Sequence, residues 1–479
     1  MTLSDILRDL EADALPDAAS RFHAVATDYF ERSRDPAEPR PVPRPATELA
    51  RLFDEPLPRS GKPLAEVVSR LAEEVVPNAN WLTHSRYLGH QVSAPLPAAV
   101  WTEAIIGSLN NSLAVEEMSP AGTAIEHRVI RWLTELAGYQ SGAGGVFTSG
   151  GTEATFTALL AARAAACPSA WEEGINPRAF IVMAGEHAHY SVSRAVAQLG
   201  LGTRNLVSIP SIDHRMDTHA LRARVDTAER RGRRMIAVVA TAGSTATGSF
   251  DDLEEIGELC ESRGIWLHVD GAHGTSALFS STHRPRLHGL ARARSVSWDP
   301  HKMLLLPLPA GTLLVRDEQD LERAFAQRAP YLFHGEAAIR RPDQGLRSFL
   351  CSRRADALKL WVALQRYGAD GLGALYDHLC TTAEALYQTI LERDDFEALH
   401  RPECNILCFR YLGRPRRGEA ELDSLNADLR ERFNRSGRGW ITSTLLGGRR
   451  VLRVTVMNPR TGVREVKELV EDLAETANC

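Results

Sequence analysis

Between about residues 96 and 365 the chain alternates short apolar runs with longer stretches whose apolar positions recur every three to four residues. The runs cover 145–148, 180–183, 205–209, 236–241, 266–269, 295–298 and 311–315. Helical period marks 152–166, 191–199, 218–231 and 252–263 between them. Short apolar runs separated by helices predict a mostly parallel sheet covered on both faces. Residues 1–95 predict a helical segment, interrupted at 34–45, where five prolines in twelve residues favour extended backbone. Residues 366–479 predict a smaller α+β domain: a helix, strands at 406–411 and 451–457, and a closing helix from Val463. The expected fold class is therefore α/β, with the sheet domain at 96–365 flanked by the two other parts.

Composition narrows the function. A chain of 479 residues with 44% hydrophobic and 24% charged residues has the balance of an ordinary globular protein rather than a disordered one. A net charge of -5 implies no broad basic face for nucleic acid or anionic lipid. The longest apolar stretches, 235–243 and 303–315, are too short for a membrane span. The acidic, amphipathic start carries no signal-peptide core, and the seven scattered cysteines include no Cys-x-x-Cys pair, so a reduced, cytoplasmic setting is expected. Of 56 basic residues only four are lysine: Lys62, Lys302, Lys359 and Lys467. In such an arginine-rich background each lysine carries information.

Four stretches carry chemistry. In Phe147-Thr-Ser-Gly-Gly-Thr-Glu-Ala-Thr155 a strand ends, Gly150 and Gly151 turn the chain, and a helix starts near Thr152. Backbone N–H groups and the helix dipole then converge on one anion site, in neither the P-loop nor the dinucleotide pattern. Asp270, in Leu267-His-Val-Asp-Gly-Ala-His273, falls at the carboxyl end of a strand, where open α/β sheets place their ligands. Lys302, in Trp298-Asp-Pro-His-Lys302, follows a strand and precedes an apolar run, surroundings that favour a Schiff-base nucleophile. In Gly185-Glu-His-Ala-His-Tyr-Ser191, His187 and His189 are one residue apart; no third metal ligand stands at partner spacing, and a ring stacked on a flat cofactor is the better use. Anion turn, stacking ring, carboxylate and lysine, in that order, are what pyridoxal 5'-phosphate requires. A metal-dependent hydrolase built on His187, His189, His268, His273 and His301 is the reading from another class, and a non-catalytic binding protein a third.

From about His84 to Glu475 the sequence resembles the group II pyridoxal-phosphate-dependent decarboxylases of fold type I, which include glutamate, cysteine sulfinate and aromatic L-amino acid decarboxylases. The motifs are Thr148-Ser-Gly-Gly-Thr-Glu-Ala154, His189-Tyr-Ser-Val192, Thr241-Ala-Gly-Ser-Thr245, Leu267-His-Val-Asp270, Trp298-Asp-Pro-His-Lys302, the stretch Arg353–Trp361, and Leu452-Arg-Val454. The resemblance implies that Lys302 binds the cofactor aldehyde, Asp270 pairs with its ring nitrogen, and His189 and Ala272 cover its two faces. It implies Gly150, Gly151, Thr152 and His301 around the phosphate, Thr245 near the ring substituents, and Arg453 on the substrate α-carboxylate. It also implies a homodimer with shared active sites, clasped by the amino-terminal helices, that cleaves the Cα–carboxylate bond of an L-amino acid or an amino-acid-bearing metabolite.

The sequence departs from that family in two places. The family's catalytic loop carries a tyrosine that reprotonates Cα, and the matching position here falls at Arg341 or Pro342. Tyr331 belongs to a neighbouring motif. His189 or His334 is then left to supply the proton. Otherwise a longer-lived quinonoid reacts with dioxygen to give an aldehyde, or expels a β-leaving group from an S-substituted cysteine. In the side-chain pocket, His90 and Gln91 replace the residues of the glutamate and aromatic enzymes and suit a polar substrate. Gly271 also replaces a usual alanine, a change expected to be tolerated.

Overall fold

The computed structural model describes residues 2–35, 38–325, 343–413 and 417–478. The chain forms two compact units, one of Met1–His90, Gln388–Glu397 and Phe409–Cys479, the other of Gln91–Tyr387 and Ala398–Cys408.

The larger unit is built on β1 Gly144–Thr148, β2 Phe180–Gly185, β3 Leu206–Ile209, β4 Arg234–Thr241, β5 Trp266–Asp270, β6 Ser295–Trp298 and β7 Gly311–Val315. They lie in the order β1-β7-β6-β5-β4-β2-β3. The pairs from β3 through β2, β4 and β5 to β6 are parallel, while β7 is antiparallel to both its neighbours. The mostly parallel sheet expected from the sequence is thus present, with one reversed strand. The reversal follows from the short link between β6 and β7, which holds no crossover helix, so β7 returns alongside β6. Every residue of β1, β5 and β7 is buried, which is why these strands read as continuous runs.

Four helices matter for the site: α1 Pro97–Leu109, α2 Gly151–Ala166, α3 Tyr190–Gln198 and α4 Ala357–Leu391. Buried alanines of α2, including Ala161 and Ala162, share a core cluster with Val182, Val196, Val239 and Trp266. Small side chains bring the helix backbone close to the sheet and leave its amino terminus at the strand ends. At Gly368, with φ 71°, α4 is broken into two helical pieces.

A second sheet has the order Tyr87–Leu88, Trp440–Leu446, Arg449–Thr455, Ile406–Tyr411, Phe396–Ala398. The strand Trp440–Leu446 was not anticipated, and its partner begins two residues before the expected 451. Gly447 and Gly448, with φ of 56° and 80°, form the tight turn that fixes this hairpin register. The closing helix Val463–Asn478 buries Val466, Leu469, Val470 and Leu473 on one face. Among the described residues no helix is long and apolar enough to cross a membrane.

Candidate active site

The end of β1, the start of α2 and the β6–β7 connection meet because glycine backbone lets them. Gly150 has φ 152°, and a Cβ on it would come within 3.2 Å of the His301 ring. A Cβ on Gly311 would lie 2.5 Å from the Gly150 Cα, so β7 supports the turn by direct backbone approach. The Gly151 N–H donates to Asp299 Oδ2 at 3.0 Å, and Ser149 donates through both N–H and Oγ to Glu153 Oε2.

Asp270 ends β5, buried, and Ser297 of β6 is its register partner. Ser297 Oγ donates to Asp270 Oδ1 at 3.1 Å, and the Ala272 N–H reaches the same oxygen at 3.3 Å. Two steps back in the ladder His268 faces Ser295. The Trp266 indole N–H donates to Ser295 Oγ at 2.8 Å, and the same hydroxyl hydrogen-bonds His268 Nδ1 at 2.9 Å. Burial lowers the His268 pKa to about 4 against the pull of Asp270.

Lys302 follows β6, with Nζ 3.1 Å from Asp299 Oδ2. His301, also buried, accepts the Ala310 N–H on Nδ1, and its Nε2 lies 3.5 Å from Asp299 Oδ2. Burial depresses the His301 pKa, so the ring is neutral, with its hydrogen on Nε2. The strand-to-strand segment after Lys302 is tightly held. Ser93 Oγ donates to the His301 carbonyl, the Leu96 N–H to that of Leu305, and Lys359 Nζ to those of Pro307 and Pro309. Leu305 sits at φ 56°, a strained conformation for a branched residue.

His189 caps α3, its Nδ1 accepting the Ser191 N–H at 3.3 Å. Its pKa is lowered first by burial, with the Asp270 charge opposing and the Lys302 charge assisting. Ala272 is buried, and a Cβ on Gly151 would meet its side chain at 2.9 Å. Thr245 is exposed on the turn between Ala242 and Phe250. A Cβ on Gly271 would strike Thr275 Oγ1 at 1.9 Å, which explains glycine at that position. Gln91 is half-buried, and its Nε2 makes no hydrogen bond among the described residues. His90 and Arg453 belong to the other unit. There Arg453 is buried on the strand opposite Thr442, and the His90 ring lies 5.0 Å from that of Trp440. Tyr331, His334, Arg341 and Pro342 lie outside the described residues.

Of the residues singled out from the sequence, Gly150, Gly151, Ala272, His301 and Lys302 lie together around Asp299, which, like Ser297, was passed over. Both were legible as polar neighbours of chosen residues: Asp299 three before Lys302, and Ser297 at the end of the strand leading to it. Among the described residues no group of three or more His, Cys, Asp and Glu side chains is arranged to hold a metal.

A strand-end lysine, a buried carboxylate, a neutral imidazole and a glycine turn at a helix start define a fold-type I site for pyridoxal 5'-phosphate. A Cβ would collide at Gly151 and Gly311, and the φ of 152° favours glycine at Gly150, so the turn presents bare backbone on which an anion can be held and the residues fit the cofactor. Residues 46–412 match the family model of the pyridoxal-dependent decarboxylase conserved domain, and the chain belongs to that family. It is 34% identical over 425 residues to L-2,4-diaminobutyrate decarboxylase of Rhizobium meliloti (strain 1021), covering 88% of this chain and 84% of the relative. It is 32% identical over 441 residues to cysteine sulfinic acid decarboxylase of Mus musculus, covering 89% and 88%. The crystal structure of mouse CSAD in apo form superposes with a TM-score of 0.90 at 29% identity, covering 96% of this chain and 98% of that one. The chain is therefore a pyridoxal-phosphate-dependent enzyme of the amino acid decarboxylase family.

Proposed function

We propose that this enzyme breaks the Cα–carboxylate bond of a polar L-amino acid and releases carbon dioxide and an amine. The observation that carries the reading is the placing of Lys302, a buried Asp270 and the Gly150–Gly151 turn at the carboxyl ends of β6, β5 and β1, linked through Asp299 and Ala272. Bound pyridoxal 5'-phosphate supplies a conjugated ring that accepts the electrons of the cleaved bond.

The chain's own residues do the rest. Lys302 Nζ holds the cofactor aldehyde, and Gly150, Gly151, Thr152 and His301 hold the phosphate. Asp270 keeps a proton on the ring nitrogen, with Ser297 fixing the carboxylate that does so. His189 and Ala272 cover the two faces, and Thr245 borders the ring substituents. Arg453 grips the substrate α-carboxylate and orients the bond to be broken. His90 and Gln91 offer hydrogen bonds to a polar side chain, in keeping with relatives named for diaminobutyrate and cysteine sulfinic acid. Neutral His189, with Nδ1 occupied by Ser191, has Nε2 left to carry a proton towards Cα.

The arginine and proline at 341 and 342, where the family has its tyrosine, favour a second reading. In it the same bond is cleaved but the product is an aldehyde formed with dioxygen; β-elimination from an S-substituted cysteine comes third. The test is an absorption spectrum followed by product analysis in air and without oxygen. A band that borohydride bleaches in wild type and that Lys302→Ala lacks supports the site. Carbon dioxide with stable amine supports the first reading, oxygen-dependent aldehyde the second, and a keto acid without carbon dioxide the third. No band after pyridoxal phosphate is added overturns all three.

A further inference from the structure

Three donors converge on Asp299, a residue 1% exposed. Its Oδ2 accepts the Gly151 N–H at 3.0 Å, pairs with Lys302 Nζ at 3.1 Å, and lies 3.5 Å from the hydrogen-bearing Nε2 of His301. Its Oδ1 makes no hydrogen bond among the described residues, and a Cβ on Gly311 would sit 2.8 Å from it. The sixteen-residue helix α2 directs its positive end to the same point. Gly151, His301 and Lys302 are the groups assigned above to the cofactor's phosphate and aldehyde. A carboxylate of the chain already engages all three.

We infer that Asp299 sets the charge state in which the cofactor phosphate is accepted, favouring the singly charged form over the dianion. The inference rests on the proposed cofactor site. Two anions in one buried site cannot both keep full charge without a large desolvation and repulsion cost, so one proton is retained between them. A phosphomonoester loses its second proton near about pH 6. Above that pH, binding must take a proton from solvent, and affinity falls as pH rises. The charged and titratable groups facing Asp299 are Lys302, His301 and the α2 terminus, with His189 feeling both Asp299 and Asp270, and Lys359 acting on His301.

The test uses pyridoxine 5'-phosphate, which has no aldehyde to react with Lys302. Its Kd is measured by calorimetry on the full-length apo protein between pH 5.5 and 8.5, for wild type and Asp299→Asn. The ratio of the two Kd values cancels, to first order, the groups common to both proteins. The expected ratio is near one at pH 5.5 and about tenfold or more at pH 8, the Asn protein binding tighter. Asp299→Ser, which keeps an uncharged acceptor for the Gly151 N–H, should give the same sign and serves if the Asn protein does not fold. A ratio that is flat with pH, or weaker binding by both variants at pH 8, overturns the inference. The Lys302-dependent absorption band of wild type would then still stand. Loss of that band together with phosphate binding overturns the proposed site as well.

Discussion

Ser297 and Asp270 sit side by side on adjacent parallel strands, and the serine hydroxyl donates to the carboxylate at 3.1 Å. The pair converts a sheet register into a fixed orientation for a buried charge. Among the described residues the other donor to that carboxylate is the more distant Ala272 N–H, at 3.3 Å. Ser297→Ala should therefore cost about 2 kcal/mol in stability and weaken cofactor retention about tenfold. Thermal melts and dialysis-resistant absorbance check this; unchanged retention would show that Asp270 does not depend on the serine.

Gly311→Ala addresses the backbone approach of β7 to the turn. The new methyl would fall 2.5 Å from the Gly150 Cα and 2.8 Å from Asp299 Oδ1. Overpacking of this kind costs about 1–3 kcal/mol, and here the strain falls on the phosphate turn. A folded protein with at least tenfold weaker affinity for pyridoxal phosphate is expected in an absorbance titration. Normal affinity would mean that the turn can shift freely.

Lys359 is completely buried, with Nζ 2.8 Å from Glu103 and 2.9 Å from Asp356, and it also donates to the carbonyls of Pro307 and Pro309. Lys359→Met would take the ammonium from Asp356 and the two carbonyls, while Glu103 keeps Arg354, a loss of about 3 kcal/mol. Lys359→Met combined with Asp356→Asn should recover part of that loss, because the stranded charge is removed. Denaturant melts of the three proteins measure it.

Acid should destabilise the protein in a defined window. Burial holds His268 and His400 to about 4, below the ordinary value of 6.5. His400 is fixed in one neutral form, accepting the Cys408 N–H on Nε2 and donating from Nδ1 to the Arg401 carbonyl. Between about pH 6.5 and 4 the unfolded chain binds these protons and the folded chain does not. Stability therefore falls as pH drops through that range, by up to about 1.4 kcal/mol per pH unit for each histidine. His400→Gln, which keeps one donor and one acceptor, should flatten the decline in melts taken from pH 7.5 to 5. An identical decline in both proteins would assign the effect elsewhere.

Much of the sheet was legible because its strands are buried on both faces and so appear as unbroken apolar runs between amphipathic helices. The Trp440–Leu446 strand was missed because its buried and part-exposed residues follow no regular alternation, and only the Gly447–Gly448 turn marks it. In the site, Lys302 and Asp270 stood out by rarity and by position at strand ends. Ser297, Asp299 and Lys359 did not, since each acts through a partner distant in sequence or on a neighbouring element. Asp299 needs Gly151, 148 positions away, and Lys359 needs Glu103 and the 307–309 backbone. Motif spacing identifies groups that meet a ligand more readily than groups that meet only each other.

Enclosure of Lys359 also leaves the folded protein with a very short roster of reactive side-chain amines. Lys62 and Lys467 are exposed, and Lys302 keeps partial access, while the fourth lysine is sealed inside its cage of oxygens. An amine-directed reagent therefore has three lysine addresses, each on a different tryptic peptide. Protection of one address by pyridoxal phosphate would register occupancy against two internal standards, making the chain its own calibrated sensor of cofactor loading.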